Sequence, residues 1–255
     1  MAIAVAPVAV ASDGRLEINQ ACVAAGCFVG DTPGFPVETQ ARQSYVLTSG
    51  LAVPDANTTA ITLNENSALD LNGFTIQGVT TCSASPTLCT NTGSGYGVNA
   101  YGGAQIRNGT ILGMGSAGIR GAGLLVENVR IEHSGGIGIS GGNGGAAWTI
   151  RGCRVQLNGS HGIDLSIGAG GDGAIVERNV IRRIGGDGVS GEDLTVTNNA
   201  INANDGYGLN LNFFAADSGY AGNVINDNNG GNGSAQVSGG VQMGSNVCGG
   251  DTTCP

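Results

Sequence analysis

The chain contains no lysine; its ten basic residues are all arginine. Histidine occurs twice and tryptophan once, and charged side chains make up only 11% of the residues and aromatic ones 4%. No apolar run reaches the roughly 18 residues that would read as a membrane span. No strict Gly-X-Y register exists, which excludes collagen. The cysteines form no CxxC pair and have no histidine beside them, so a cysteine metal site lacks support. The net charge is −9. Such an acidic chain repels phosphate, which argues against nucleic acid and anionic membrane surfaces. What the chain does have is glycine, 48 of 255 residues, against a usual share of about 7%. Apolar residues reach 40%, too many for a disordered tail. The length admits one large domain or two small ones. Abundant glycine with little charge and few aromatics suggests a repetitive β protein with many tight turns.

Residues 2–10 are small and apolar, and Ala9-Val10-Ala11 fits the small-residue rule for signal cleavage, with polar Ser12 and Asp13 following. Residues 1–11 read as the last part of a secretory signal; the alternative is an apolar first strand. The cysteines agree with export. Cys22 and Cys27, Cys82 and Cys89, and Cys248 and Cys254 make three short-range pairs, expected as disulfides of a secreted, periplasmic or cell-surface protein. Cys153 is left over and reads as a packed, unreactive thiol.

A period emerges in the middle of the chain. An aliphatic residue is followed five positions later by a second, and eight positions after that by a third, usually preceded by glycine. The triples are Ile106, Ile111, Ile119; Val126, Ile131, Ile139; Ile150, Val155, Ile163; Val176, Ile181, Val189; and Val196, Ile201, Leu209. Partial copies fall at Leu71 and Ile76 and at Tyr220 and Ile225. Helical repeats need apolar residues at i, i+3 and i+4, which these units lack. Twenty-odd residues per unit, in short alternating segments with Gly and Asn corners, describe an all-β parallel β-helix, a solenoid of seven or eight coils. Aligned residues then stack about 4.8 Å apart. Ile76, Ile111, Ile131, Val155, Ile181, Ile201 and Ile225 form one expected inner ladder. Ile119, Ile139, Ile163, Val189 and Leu209 form another, and Leu124, Trp148, Ala174 and Leu194 help fill a third. Asn108 and Asn128 share one turn position, and Asn179, Asn199 and Asn223 the next, where amides could bond to stacked copies. Gly118, Gly138, Gly162, Gly188 and Gly208 mark sites where positive φ or close stacking excludes a Cβ. Arg107, Glu127, Arg151, Glu177 and Thr197 form an outward column of alternating sign, read as structural. The expected organisation is an N-terminal cap and first strands over 12–58, the β-helix over 59–230 and a closing segment over 231–255, with residues 44–48 as one early strand.

On these repeats the chain resembles the right-handed, single-stranded parallel β-helix superfamily of pectate lyases, polygalacturonases and alginate epimerases. The loop after the Gly-aliphatic strand varies most in length, and variable loops on one solenoid face mark a binding face. There, three coils read His161-Gly-Ile-Asp164-Leu-Ser166, Asp187-Gly-Val-Ser190-Gly-Glu192 and Tyr207-Gly-Leu-Asn210-Leu-Asn212. Stacking puts His161, Asp187 and Tyr207 in one column and Asp164, Ser190 and Asn210 in a second, with Arg120 two coils before Asp164. These segments are similar to the Tyr-Gly-Phe-Asp-Pro-His strand of mannuronan epimerases and alginate lyases, in which tyrosine, aspartate and histidine form the catalytic group. Asp164 matches the aspartate, His161 stands at the tyrosine position and Ser166 replaces the histidine. Tyr207 matches the tyrosine, while Asn210 and Asn212 replace acid and histidine. The resemblance implies His161, Asp164, Asp187 and Tyr207 as a catalytic group, redistributed across coils or absent. Arg120, Ser166, Ser190, Glu192, Asn210 and Asn212 would bind substrate.

Proton abstraction beside a uronate carboxylate needs a base, an acid and a group that neutralises the carboxylate. Without lysine the neutraliser is arginine, a protonated acid or a metal. Hydrolysis needs two facing carboxyls, for which Asp164 and Asp187 are candidates with Glu192 nearby. Arg130 and Arg154 form a further column beside Glu132 and His133; Glu132 as internal counter-ion is preferred to a bound uronate, and Arg182-Arg183 reads likewise. Asn226, Asp227, Asn228 and Asn229 make calcium the candidate metal, although no Gly-Gly-x-Gly-x-Asp repeat supports it. The column Gln77, Leu112, Glu132, Gln156, Arg182, Asn202 is too mixed for ice binding. The expectation is recognition of an extended acidic or neutral polysaccharide, with lyase or epimerase chemistry if catalytic. The alternatives are a non-catalytic adhesin or glycan-binding scaffold, and a glycoside hydrolase.

Overall fold

Short alternating strands leave half of each strand's side chains pointing one way, and a coil of three such strands can bury that half only by stacking on its neighbours. The computed structural model of the chain describes residues 14–84, 87–142, 147–166, 173–212, 217–252 and 254. The signal-like segment 1–11 lies outside them. Every strand pairing of the coils is parallel, and the strands fall on three faces. The first face carries Ser44–Leu47, Ala68–Asp70, Thr149–Arg151, Ala174–Glu177, Leu194–Thr197 and Gly219–Ala221. The second carries Thr75–Gln77, Arg154–Gln156, Val180–Arg182, Ala200–Asn202 and Val224–Asn226. Gln105–Leu112 and Leu125–Glu132 run round the corner and belong to both. The third face is a separate sheet of nine strands. The eight steps between those strands are the coils.

The stacking follows the aliphatic period. Ile76, Ile111, Ile131, Val155, Ile181, Ile201 and Ile225 are successive register partners, and all are buried. Ile119, Ile139, Ile163, Val189 and Leu209 form the inner ladder of the third face. Both ladders run further than the repeat suggested. Leu51 and Cys248 extend the first, and Val37, Ile61, Val98 and Val237 extend the second. Leu124, Trp148, Ala174 and Leu194 are buried at the third corner. One alignment is corrected. Leu69, not Leu71, is the partner of Ile106. The early coil has a longer corner, in which Phe74 N donates to Leu71 O at 2.8 Å. Leu71 fills the space left by the absent Cβ of Gly109.

The corners use buried amides. Asn179 Nδ2 donates to Asn199 Oδ1, Asn199 Nδ2 to Asn223 Oδ1, and Asn223 Nδ2 to Asn246 Oδ1, at 3.0, 3.0 and 3.1 Å. The same oxygens accept the backbone N–H of the preceding coil, at 2.9 Å in each case. Cys153 begins this ladder by donating its N–H to Asn179 Oδ1 at 2.8 Å. Its thiol is free and buried, and desolvation pushes its pKa up to about 11, so it is inert near neutrality. A second ladder joins Asn204 Nδ2 to Asn228 Oδ1 at 2.8 Å and Asn228 Nδ2 to Gln236 Oε1 at 3.0 Å. The Gly-aliphatic glycines answer to close stacking rather than positive φ. A Cβ on Gly138 would lie 2.5 Å from Val155 Cγ1 and 2.8 Å from Asn158 Nδ2.

All three expected disulfides are present. The Cys82–Cys89 bridge closes an antiparallel hairpin of Thr81–Cys82 and Cys89–Thr90. This arm lies along the solenoid. Cys82 N donates to His133 Nδ1, and Thr87 N donates to Asp205 Oδ2, both at 2.9 Å. Thr87 Oγ1 donates to Arg183 O at 3.3 Å. Gly159 makes the fit: a Cβ there would sit 2.8 Å from Cys89 Sγ.

Asn199→Leu would leave the buried N–H and Nδ2 of Asn179 without their acceptor, each costing about 1–3 kcal/mol. The variant is expected to lose on the order of 3 kcal/mol in chemical denaturation, and a loss below about 0.5 kcal/mol would remove the amide ladder as a stabilising element.

Candidate functional site

Alternation along the third face sends the residue after each inner aliphatic outward. The register makes one outward column of Glu38, Thr62, Asn99, Arg120, Ser140, Asp164, Ser190, Asn210 and Ser238. Every member is polar; Thr62, Ser140, Asp164 and Ser190 are buried, and Glu38, Asn99, Arg120, Asn210 and Ser238 are partly exposed. Asp164, Ser190 and Asn210 are thus adjacent as the spacing implied, with Arg120 two coils before Asp164. Glu38, Thr62, Asn99 and Ser238 were missed because their coils lack the full aliphatic triple, and Ser140 was missed although its coil carries the triple Val126, Ile131, Ile139. A second column, three residues earlier, brings His161, Asp187 and Tyr207 onto successive coils.

Asp187 ties the two columns together. It is buried, and its Oδ1 accepts Tyr207 N–H at 2.8 Å while its Oδ2 accepts Asn210 Nδ2 at 2.9 Å. Its own N–H donates to His161 Nδ1 at 3.1 Å. That lone pair is therefore occupied, and the neutral imidazole carries its proton on Nε2. The 3.6 Å separation of His161 Nδ1 from Asp187 Oδ2 is a contact between two acceptors unless the ring is protonated. Asp164 belongs to a different pair. Its Oδ1 accepts both the N–H and the hydroxyl of Ser166, the N–H at 3.0 Å and the hydroxyl at 2.5 Å. The structure thus assembles His161, Asp187, Asn210 and the Tyr207 backbone into one network, and Asp164 with Ser166 into another. Glu192 and Ser190 sit at the end of the same strand region, Ser190 buried and Glu192 partly so, and Asn212 is exposed.

Arg120 has its own setting. Its guanidinium stands 5.5 Å from the centroid of the Tyr96 ring, a cation–π distance. It also lines a hollow of about 200 Å³ with Asn99, Tyr101 and Gly142. Tyr96 was not foreseen; it precedes Gly97 and Val98 just as His161 precedes Gly162 and Ile163. The variable loops after this face fall largely on residues 143–146, 167–172 and 213–216, outside the described residues. Among the described residues, no three His, Cys, Asp or Glu side chains are grouped to hold a metal. Within the candidate calcium turn, Asn228 is committed to the amide ladder, and Asn229 Nδ2 donates to Ala235 O at 3.1 Å.

Comparison with known proteins gives one family. The model described as "Right handed beta helix region" matches residues 42–247. No curated protein sequence matches the chain. Among solved structures, the A-module of a mannuronan C-5 epimerase from Azotobacter vinelandii is similar at 15% identity, with a TM-score of 0.42, over 88% of this chain and 70% of that one.

The network makes Asp187 a positioning residue of this face. Asp187→Ala leaves Tyr207 N–H and Asn210 Nδ2 without their acceptor, and a stability loss on the order of 2 kcal/mol is expected. Exposed Asn212→Ala should stay within about 0.5 kcal/mol of the parent. Equal denaturation midpoints for the two variants would contradict the network.

Proposed function

The chain belongs to the right-handed β-helix family, and we propose that it is an exported protein that binds an extended polysaccharide along the outer face of its nine-stranded sheet. One observation carries the proposal: the column of polar side chains from Glu38 to Ser238, one per strand, of which Glu38, Asn99, Arg120, Asn210 and Ser238 are partly exposed. The rungs repeat at about 4.8 Å, so a ligand with repeated hydroxyl or carboxylate groups can meet similar partners along its length. Arg120, set over Tyr96 beside its hollow, is the anchor for a carboxylate or an acceptor-rich sugar edge. The second Nδ2 proton of Asn210, the Ser166 hydroxyl oxygen as acceptor and the Tyr207 ring add partners further along. The three disulfides support the exported setting.

Binding without turnover is the reading the Asp187 network favours. Both Asp187 oxygens hold structural donors, and His161 Nδ1 holds a backbone N–H. Uronate lyase or epimerase chemistry is the second reading. It rests on His161, whose Nε2–H is a proton donor in the same column as Tyr207.

Native electrophoresis through gels containing polygalacturonate, alginate or neutral dextran tests binding. Retardation by at least one glycan is expected, reduced several-fold in Arg120→Ala and in Asn210→Ala. Unretarded migration in every gel would overturn the proposal. Absorbance near 235 nm in the same mixtures tests elimination: a rise lost in His161→Ala makes it a lyase, and a flat trace with retardation leaves a binding protein or an epimerase, which proton NMR of the recovered glycan tells apart by the presence or absence of inverted uronate residues.

A further inference from the structure

The second face carries a basic cluster on this acidic protein. Arg130 and Arg154 are register partners on adjacent coils, one strand spacing apart. The neighbouring column reads Glu132, Gln156, Arg182 on three successive coils. Glu132 serves the first two arginines, Arg130 Nη2 at 2.6 Å and Arg154 Nε at 3.7 Å. One coil on, the acid is replaced by an amide. Gln156 Oε1 accepts from Arg154 Nε at 3.0 Å and from Arg182 Nε at 2.9 Å. Two guanidinium groups therefore converge on one neutral oxygen. Among the described residues, the Nη groups of Arg154 and Arg182 make no hydrogen bond. Three cations share a single carboxylate, an arrangement that costs Coulomb energy unless an anion joins it. Burial, then the neighbouring charges of Arg154 and Arg183, pushes the Arg182 guanidinium below its usual value.

A purely structural column would place a second carboxylate at 156, as the first face does with Glu127 between Arg107 and Arg151. We propose that Arg154 and Arg182 form an oxyanion-binding site, separate from the third face, that takes a sulfate, phosphate or carboxylate group on their free Nη edges. Guanidinium edges match such groups through paired N–H···O bonds. The anion is either a free ion or a charged group of a polymer, and the two sources are separable by experiment.

Titration calorimetry at constant ionic strength uses sodium sulfate, sodium phosphate and polygalacturonate as probes, on the parent and on three variants, with every polygalacturonate titration made in an Arg120→Ala, Asn210→Ala background that removes the third-face binding proposed above. Saturable binding of at least one probe to the parent is expected. Arg182→Gln should weaken it at least tenfold. Gln156→Glu supplies the carboxylate internally; it should also weaken binding at least tenfold, while raising the thermal midpoint. His161→Ala on the third face should leave it unchanged, so the failure of one reading is distinguishable from the failure of the other. Binding to sulfate or phosphate identifies a free-ion site, and binding to polygalacturonate alone identifies a polymer site. No binding of any probe, binding that persists in Gln156→Glu, or binding lost in His161→Ala would overturn the proposal. The general stabilisation that sulfate gives any fold would persist in all variants and is thereby separated from the site.

Discussion

Each residue of a coil rests on its counterpart one strand spacing away, and every other feature of the molecule answers to that constraint. A buried position must tolerate a copy of itself at about 4.8 Å. Aliphatic side chains do so by packing. Asparagine does so by hydrogen bonding, because its amide both donates and accepts. The inner positions are accordingly filled by isoleucine and valine ladders, with asparagine at the corners. Where a ladder changes type, a switch residue is needed. Cys153 is one: its side chain packs among apolar neighbours, and its N–H starts the amide ladder.

Charged residues obey the same rule less easily. On the first face the problem is solved by alternating sign, with Arg107, Glu127, Arg151 and Glu177 on successive coils and an ion pair between Arg151 and Glu127. Such exposed pairs contribute roughly 0–1 kcal/mol each, so their value lies more in register than in stability. The second face breaks the alternation at Gln156. The third face avoids charge repulsion with neutral polar residues and isolated charges. The three faces thus have three different surface chemistries over the same core.

The ladders were legible because apolar residues recur at fixed spacing, and the register confirms the columns of His161, Asp187, Tyr207 and of Asp164, Ser190, Asn210. The second corner was not legible. His133, Leu157, Arg183, Ala203 and Asp227 all adopt left-handed backbone conformations there, yet most of these residue types give no such signal. Asn158 and Asn204 could have been found, since each stands five residues before an inner aliphatic, Ile163 and Leu209. The misplacement of Leu71 came from a longer corner: Asn72-Gly73 marks a turn, both residues being left-handed, but not its extra length. The path of the Cys82–Cys89 arm was hidden because an insertion without a period has no partner to align with. Within the site, column membership could be read but bonding could not: that Asp187 rather than Asp164 joins the columns depends on side-chain directions.

Hydroxyl-radical footprinting of the protein with and without a retained glycan tests the central claim, that the third face is the recognition surface. The account predicts protection of Tyr96, His161 and Tyr207, with Phe74 and Met243 unchanged. Protection confined to the first or second face, or an identical pattern with saturating glycan present, would contradict it.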